Sequence, residues 1–217
     1  MPAHSLHELL IEELRDMYDG EKRLTKALPQ MARAASSEEL RTAFMNHLKE
    51  TERQVTRLEQ VFRTLGEKPR GKTCDGIVGI VEEGRKAMEE LDGAVLDAAL
   101  IAGAQKAEHY EIATYGTLAY FAELLGNEDA KALLGETLDE EKAADEKLTT
   151  IAESDVNRQA LVGDGEASEP STIGRMRRTV TSLTTANERP RKTAGRRRRS
   201  SGTRASRASS RKRTSRR

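Results

Sequence analysis

The sequence contains no tryptophan, and tyrosine and phenylalanine together contribute only seven residues. Alanine, leucine, glutamate, lysine and arginine are abundant instead, and this composition favours helices over a sheet. The single cysteine, Cys74, excludes an intrachain disulfide. A protein without disulfides fits a reducing compartment.

Long apolar runs are also missing. No stretch of the chain is apolar for long enough to span a bilayer. The N-terminus lacks the succession of basic, apolar and small residues that directs secretion. We therefore expect a cytoplasmic protein with no membrane partner.

The net charge of +1 conceals two regions of opposite sign. Residues 1–169 hold 20 Lys/Arg and 35 Asp/Glu, whereas residues 170–217 hold 17 Lys/Arg and one acid, Glu188. The two regions should therefore have different partners. Apolar periodicity fades from about Val156. We predict one folded domain over residues 1–155 and a disordered Arg/Ser-rich tail over residues 156–217.

Four long segments repeat apolar residues three and four positions apart, which is the period of an amphipathic helix. The first predicted helix follows a capping box at Ser5, and Pro29 should kink it or end it early. The other long helices cover about residues 38–65, 93–125 and 128–152. A fifth helix, which is short, glycine-rich and third in chain order, covers about residues 74–90. Two up-down pairs joined by a long crossover with a short helix predict an all-α fold, a ferritin-like four-helix bundle.

Polar residues interrupt the apolar stripe near the middle of each long helix. The stripe of the fourth predicted helix is Ile101, Ala104, Glu108, Glu111, Tyr115, Leu118, Ala122 and Leu125. The interruptions in the other long helices are Glu21, the pair His47 and Glu50, and the pair Glu141 and Asp145. Each alone is also typical of a hydrated helix border, a hydrogen-bonded core histidine or a surface ion pair. Their coincidence at one depth in four helices favours a functional site in the middle of the bundle.

Buried carboxylates without partners are costly, and several together repel one another. The stripes of the first, fourth and fifth predicted helices contain no lysine or arginine to neutralise them. Two metal ions would remove this penalty. The predicted metal ligands are Glu21, His47, Glu50, Glu108, Glu111, Glu141 and Asp145. A mostly carboxylate set with one or two imidazoles suits iron best, with manganese or zinc as alternatives.

Three further residues near these ligands have open roles. His109 lies about 100° around the helix from Glu108, so it is a ligand of a rotated helix, a support for a ligand, or a surface residue. Tyr18 and Tyr115 lie one turn from predicted ligands. Their positions fit hydrogen bonding to the ligands or transfer of oxidising equivalents, and they fit plain packing at least as well.

Four stretches of the sequence resemble the YciE/YciF family of ferritin-like proteins. They are residues 14–21 (LRDMYDGE), 47–51 (HLKET), 104–118 (AQKAEHYEIATYGTL) and 137–142 (TLDEEK). The resemblance covers about residues 5–155. It implies a helical ferritin-like domain, a homodimer, a dinuclear metal centre and a role in stress response, without naming a reaction.

The ligand pattern departs from that of many di-iron proteins, which take a Glu-x-x-His pair from each of two helices. No Glu-x-x-His occurs in this chain. The second predicted helix has the reverse, His47-x-x-Glu50, and the fourth has Glu108-x-x-Glu111. So few histidines weaken the prediction of iron oxidation more than the prediction of metal binding.

The positive charges of the basic tail are suited to binding a polyanion such as DNA. When they neutralise phosphates, counterions are released, and this gives the tail an affinity that does not depend on base sequence. It has no aromatic residue to stack on bases. Binding of the tail to DNA is one interpretation; a solubilising role, or contact with the acidic region of the same or another molecule, is another. The candidate functions are therefore iron oxidation, iron sequestration or peroxide removal at a di-metal site, nucleic-acid association through the tail, and a metal-free helical interaction module.

Overall fold

The computed structural model of the protein describes residues 4–162, and every regular element in that range is helical. The elements are α1 (Leu6–Ala34), α2 (Glu38–Thr64), α3 (Asp75–Glu90), α4 (Gly93–Leu124) and α5 (Glu128–Ile151), followed by a π-helical turn (Ala152–Val156) and α6 (Asn157–Val162). The predicted all-α fold is confirmed. The bounds of the second to fifth helices differ from the prediction by one residue at most.

The four long helices form a bundle with two pairs of neighbours. Short connections at residues 35–37 and 125–127 make α1 and α2, and α4 and α5, antiparallel neighbours. The pairs pack through α1 against α4 and through α2 against α5. The long connection over residues 65–92 contains α3, which packs on α1 and α4. This is the predicted ferritin-like arrangement with its fifth, shorter helix in the crossover.

Side-chain caps begin the first two helices, and the predicted capping box at Ser5 is present. At α1, Ser5 Oγ accepts from the Glu8 amide at 3.1 Å, and Glu8 Oε2 accepts from the His4 amide at 2.6 Å. At α2, Ser37 is the cap residue. The amides before that helix donate to Asp97 of α4, at 2.8 Å each from residues 36 and 37. A carboxylate distant in sequence thus caps α2 and ties it to α4.

Two glycines end helices where the backbone turns left-handed. Gly66 and Gly126 both have φ of 72°, which a residue with a side chain rarely adopts. Pro29, by contrast, does not end α1, which continues to Ala34. The residues that follow it, Met31 and Ala32, are buried in the core. Their packing offsets the single backbone hydrogen bond that proline removes.

The start of α3 is fixed closely against α1 and α4. A Cβ placed on Gly76 would lie 2.5 Å from the Tyr110 ring, so only glycine permits this approach. Tyr110 donates to Asp16 Oδ2 at 3.0 Å, and the Cys74 amide donates to Asp19 Oδ2 at 3.0 Å. These contacts hold one end of α3, whereas Ile77 is its only buried residue.

The described chain stays helical beyond the predicted domain boundary at residue 155. The π-helical turn leads into α6, which packs against α4 and ends at Val162. The boundary itself stays a prediction, since residues 163–217 and their predicted disorder lie outside the described residues. None of the helices described is long and apolar enough to cross a membrane.

Candidate metal centre

Five of the seven predicted ligands meet inside the bundle. They come from all four long helices: Glu21 of α1, His47 of α2, Glu108 and Glu111 of α4, and Glu141 of α5. The four carboxylates are 0–2% exposed, and the His47 side chain is 11% exposed. Helical periodicity places each side chain on an inward stripe, so that the acids replace leucine or alanine at one level of the core.

The five residues form two groups that share one carboxylate. The first group contains His47, Glu108 and Glu141, and the second contains Glu21, Glu111 and Glu141. Within each group, one ligand atom from every residue lies within 4.8 Å of the others. Glu141 belongs to both, so its two oxygens can serve two neighbouring cations.

Most oxygens of these carboxylates lack a hydrogen-bond partner. The unpartnered buried oxygens of these four carboxylates are Oε2 of Glu21, Oε2 of Glu108, and both oxygens of Glu111 and Glu141. Six of the eight carboxylate oxygens are therefore unsatisfied. Buried polar atoms are almost always paired, and an unpaired acceptor typically costs about 1–3 kcal/mol. Hard cations bind such oxygens, so the donor set fits metal ions.

The two remaining oxygens are held by protein donors. The hydroxyl of Tyr115 donates to Glu21 Oε1. His47 Nε2 lies 3.2 Å from Glu108 Oε1 and 3.9 Å from Glu141 Oε2. On the far side of the ring, His47 Nδ1 lies 3.4 Å from Glu50 Oε2. These contacts fix the ring, Glu21 and Glu108 through one oxygen each of the two carboxylates, and leave the other six oxygens of the layer without a donor.

Burial shifts the protonation of the acids strongly. Loss of hydration raises the pKa of Glu21 to about 7, although the Tyr115 hydroxyl opposes the shift. Burial and the charges of Glu21 and Glu108 raise the pKa of Glu141 to about 10. Burial, with the charges of Glu21 and Glu141, also raises the pKa of Glu111 well above its usual value. The metal-free layer thus retains protons at neutral pH.

His47 responds in the opposite sense to its burial. Desolvation alone would lower the pKa of its imidazole, but Glu108, Glu50 and Glu141 surround the ring. Their negative charges raise the pKa well above the ordinary histidine value. Without metal, His47 is therefore a protonated counterion inside the layer. A metal ion bound at Nε2 would replace that proton.

The other two predicted ligands lie outside the two groups. The Glu50 side chain is 38% exposed and approaches His47 from the surface, and the hydrogen bond to His47 lowers the pKa of Glu50. Asp145 Oδ1 accepts from Gln105 Nε2 at 3.1 Å and lies 3.6 Å from Nε2 of His109. The His109 side chain is 68% exposed, so it is a surface residue paired with Asp145.

Tyr115 and Tyr18, whose roles the sequence left open, differ in position. Tyr115 is fully buried and bound to Glu21. The hydroxyl of Tyr18 instead donates to Glu59 at 2.9 Å, and its ring packs edge-on against Phe62. Of the two, only Tyr115 belongs to the carboxylate layer.

One buried cation next to the layer was not found from the sequence. Arg57 is the only buried lysine or arginine within residues 4–162. Its guanidinium donates to Glu140 through both terminal nitrogens, at 2.8 and 3.0 Å, and to Glu136 at 2.6 Å. Arg57 is therefore neutralised by acids outside the site. An arginine beside an apolar stripe looks the same in sequence whether it is hydrated or paired.

The geometry supports cation binding more directly than it supports a reaction. Carboxylates from three helices converge with one imidazole, and protonated His47 is the only protein cation among them. Two adjoining groups with a shared carboxylate suit a pair of ions. No described residue of the layer is arranged as a nucleophile with an adjacent base.

Known proteins match this chain over the same helical region. The family described as "Domain of unknown function (DUF892)" matches residues 5–161. Protein YciF of Escherichia coli (strain K12) is 47% identical over 162 residues, which is 74% of this chain and 98% of YciF.

Solved structures of relatives share the fold. The crystal structure of the E. coli stress protein YciF covers 72% of this chain and 99% of its own, with a TM-score of 0.69 and 46% identity. YcfI of Rhodopseudomonas palustris covers 68% of this chain and 94% of its own, with a TM-score of 0.66 and 47% identity. A protein of Xanthomonas campestris at 21% identity and a TM-score of 0.57 shares the fold alone. The chain therefore belongs to the DUF892 family and is a relative of YciF, as the resemblance of its motifs predicted.

Proposed function

We propose that this protein is a ferritin-like stress protein that binds two metal ions, iron or manganese, in its carboxylate layer. The observation that carries the proposal is the set of six unpartnered oxygens on four buried carboxylates. One ion would be held by His47, Glu108 and Glu141, and the other by Glu21, Glu111 and Glu141. The name of the relative YciF, a stress protein, supports the physiological setting.

The residues of the chain would act mainly by positioning and by proton release. Tyr115 orients Glu21, and Glu50 orients the His47 ring from the outside. Protons retained by the layer leave when cations arrive, because metal ligands must be deprotonated. Bound iron or manganese would supply one-electron redox chemistry. Iron oxidation, iron sequestration and peroxide removal all remain within this proposal.

Metal analysis of the purified full-length protein tests the proposal. Protein reconstituted with Fe(II) without oxygen, or with Mn(II), should hold about two ions per chain, the number of ligand groups. Glu141→Gln should lose most of both ions, because both groups share this carboxylate. The matched control is Glu146→Gln, an exposed glutamate on the same helix, which should retain them. Wild-type protein that binds no metal would contradict the proposal and favour a metal-free interaction module.

Association with DNA through residues 170–217 is a second, separate proposal. Its support is the sequence alone, in which 17 Lys/Arg accompany a single acid. Truncation after residue 169 should abolish retardation of DNA at low salt, since the remaining chain is acidic. Unchanged retardation would refute the proposal. Assembly as a homodimer, implied by the family resemblance, also stays a prediction.

A further inference from the structure

An apolar cavity lies between α1, α3 and α4, beside the carboxylate layer. Its volume is about 180 Å³, and it is partly open to solvent beside the exposed residues Gln30 and Arg85. Leu24 and Leu28 of α1, Ile80 and Met88 of α3, and Leu100 of α4 form part of its wall. A cavity with hydrocarbon walls offers water few hydrogen-bond partners and tends to stay dry.

The cavity reaches the candidate metal centre. His47 and Glu108, which lie 3.2 Å apart, contribute to its lining. At the outer part of the lining, the Arg85 guanidinium is held by Glu82 at 2.8 Å and also by Glu89. Its charge is therefore already neutralised. A molecule inside the cavity would contact mostly hydrocarbon and would meet the carboxylate layer at His47 and Glu108.

Two glycines keep the volume open. Gly84 of α3 and Gly103 of α4 both line the cavity, and a Cβ added to either would meet no atom within 4 Å. Glycine inside a helix costs about 1 kcal/mol relative to alanine. Neither glycine is required by a close contact, unlike Gly76 under Tyr110. The missing side chains leave space between two helices that packed side chains would otherwise fill.

A second cavity reaches the same two residues from another side, with a different lining. It encloses about 320 Å³ between α2 and α5, and Glu50 and Glu140 line it together with His47 and Glu108. Its lining is mixed in charge, because Glu50 and Lys147 carry opposite charges and Glu140 is paired with Arg57. The two cavities therefore reach the layer through different linings, of which the second contains more charged side chains.

We propose that the apolar cavity is a binding site for an uncharged, apolar molecule of about the size of benzene, held against His47 and Glu108. The volume fits this class, since an apolar cavity of roughly 150 Å³ accommodates benzene. Binding itself needs no metal. If metal ions occupy the layer, a molecule held against His47 and Glu108 would lie beside them, and that part of the inference rests on the proposed function.

Benzene titration of the metal-free, full-length protein tests the site, with methionine methyl groups labelled for NMR. Met31 and Met88 line the cavity, whereas Met45 is an exposed residue of α2. The methyl signals of Met31 and Met88 should shift saturably with benzene, and that of Met45 should not. Gly84→Leu and Gly103→Leu should each abolish the saturable shift by filling the space.

Gly79→Leu is the matched control. Gly79 also lies in α3 with nothing within 4 Å of an added Cβ, but it does not line the cavity, so its variant should bind benzene like wild type. No saturable shift in wild type, or an undiminished shift in both filled variants, would overturn the proposal. Metal analysis of the same samples keeps the two proposals apart. Benzene binding without metal binding would refute the proposed function and leave the cavity site standing.

Discussion

The buried hydroxyl of Tyr115 donates a hydrogen bond to Oε1 of Glu21, joining α4 to α1 within the carboxylate layer. This is the one protein donor that Glu21 has among the described residues, and its other oxygen is unpartnered. The bond stabilises the charged carboxylate and opposes the rise in the pKa of Glu21 caused by burial. Tyr115 therefore helps to keep a predicted metal ligand ionised.

Tyr115→Phe should raise the pKa of Glu21 further above its present value of about 7. The metal-free variant should lose about 1–3 kcal/mol of unfolding free energy near pH 8, because an ionised carboxylate loses its donor. The loss should be smaller near pH 5.5, where Glu21 is protonated. Urea unfolding of the variant and the wild type at pH 8 and pH 5.5 measures this loss of unfolding free energy. Tyr120→Phe, at a 58% exposed tyrosine of α4, should have little effect at either pH.

The stability of the metal-free protein should fall between about pH 6 and pH 9. Glu21, Glu111 and Glu141 have raised pKa values in the folded state. The folded chain thus binds protons that the unfolded chain has released. This contribution to stability is fully present below the pKa values of the unfolded chain and is lost as the pH rises through those of the folded chain. The folded pKa is about 7 for Glu21 and about 10 for Glu141. The raised pKa of His47 acts in the same direction.

Urea unfolding across this pH range provides the measurement, with an expected loss of about 1.4 kcal/mol per pH unit for each proton that the folded chain holds and the unfolded chain has released. Glu141→Gln should reduce the slope, because its amide cannot ionise. Glu146→Gln, at an exposed site, should keep the wild-type slope. Stability that rises from pH 6 to pH 9 would contradict the protonation assigned to the layer.

Asp97 should matter for stability although it lies outside the site. Its two oxygens accept from the amides of Ser36 and Ser37, and the side chain is 3% exposed. Asp97→Asn should lower the unfolding free energy by about 1–3 kcal/mol, since one oxygen becomes a donor facing a donor. Asp92→Asn is the control, because exposed Asp92 precedes α4 without a side-chain cap bond. Equal effects of the two substitutions, measured by thermal or urea unfolding, would argue against this role.

Periodicity, together with capping signals at the helix ends, predicted the helices because each long helix buries one apolar stripe. It also located Glu21, Glu108, Glu111 and Glu141, since acids on such a stripe must enter the core. The same periodicity could not separate Glu141 from Asp145, which lies one turn further along. Contacts with Gln105 and His109 hold Asp145 outside the two groups.

Other features depend on partners far apart in the chain. The cap on α2 comes from Asp97, 61 residues beyond Ser36. Arg57 is paired with Glu140, 83 residues away. Pairing at such distances depends on how the helices pack, which local pattern does not specify. The apolar cavity is equally hidden, because it arises from glycines on two helices that meet only in the folded protein.

The most direct measurement of the central claim is anomalous scattering from crystals of the full-length protein loaded with Mn(II). The account predicts two manganese peaks inside the bundle. One should contact His47, Glu108 and Glu141, and the other Glu21, Glu111 and Glu141. A bundle interior without any manganese peak, in crystals that show the five side chains clearly, would contradict the account.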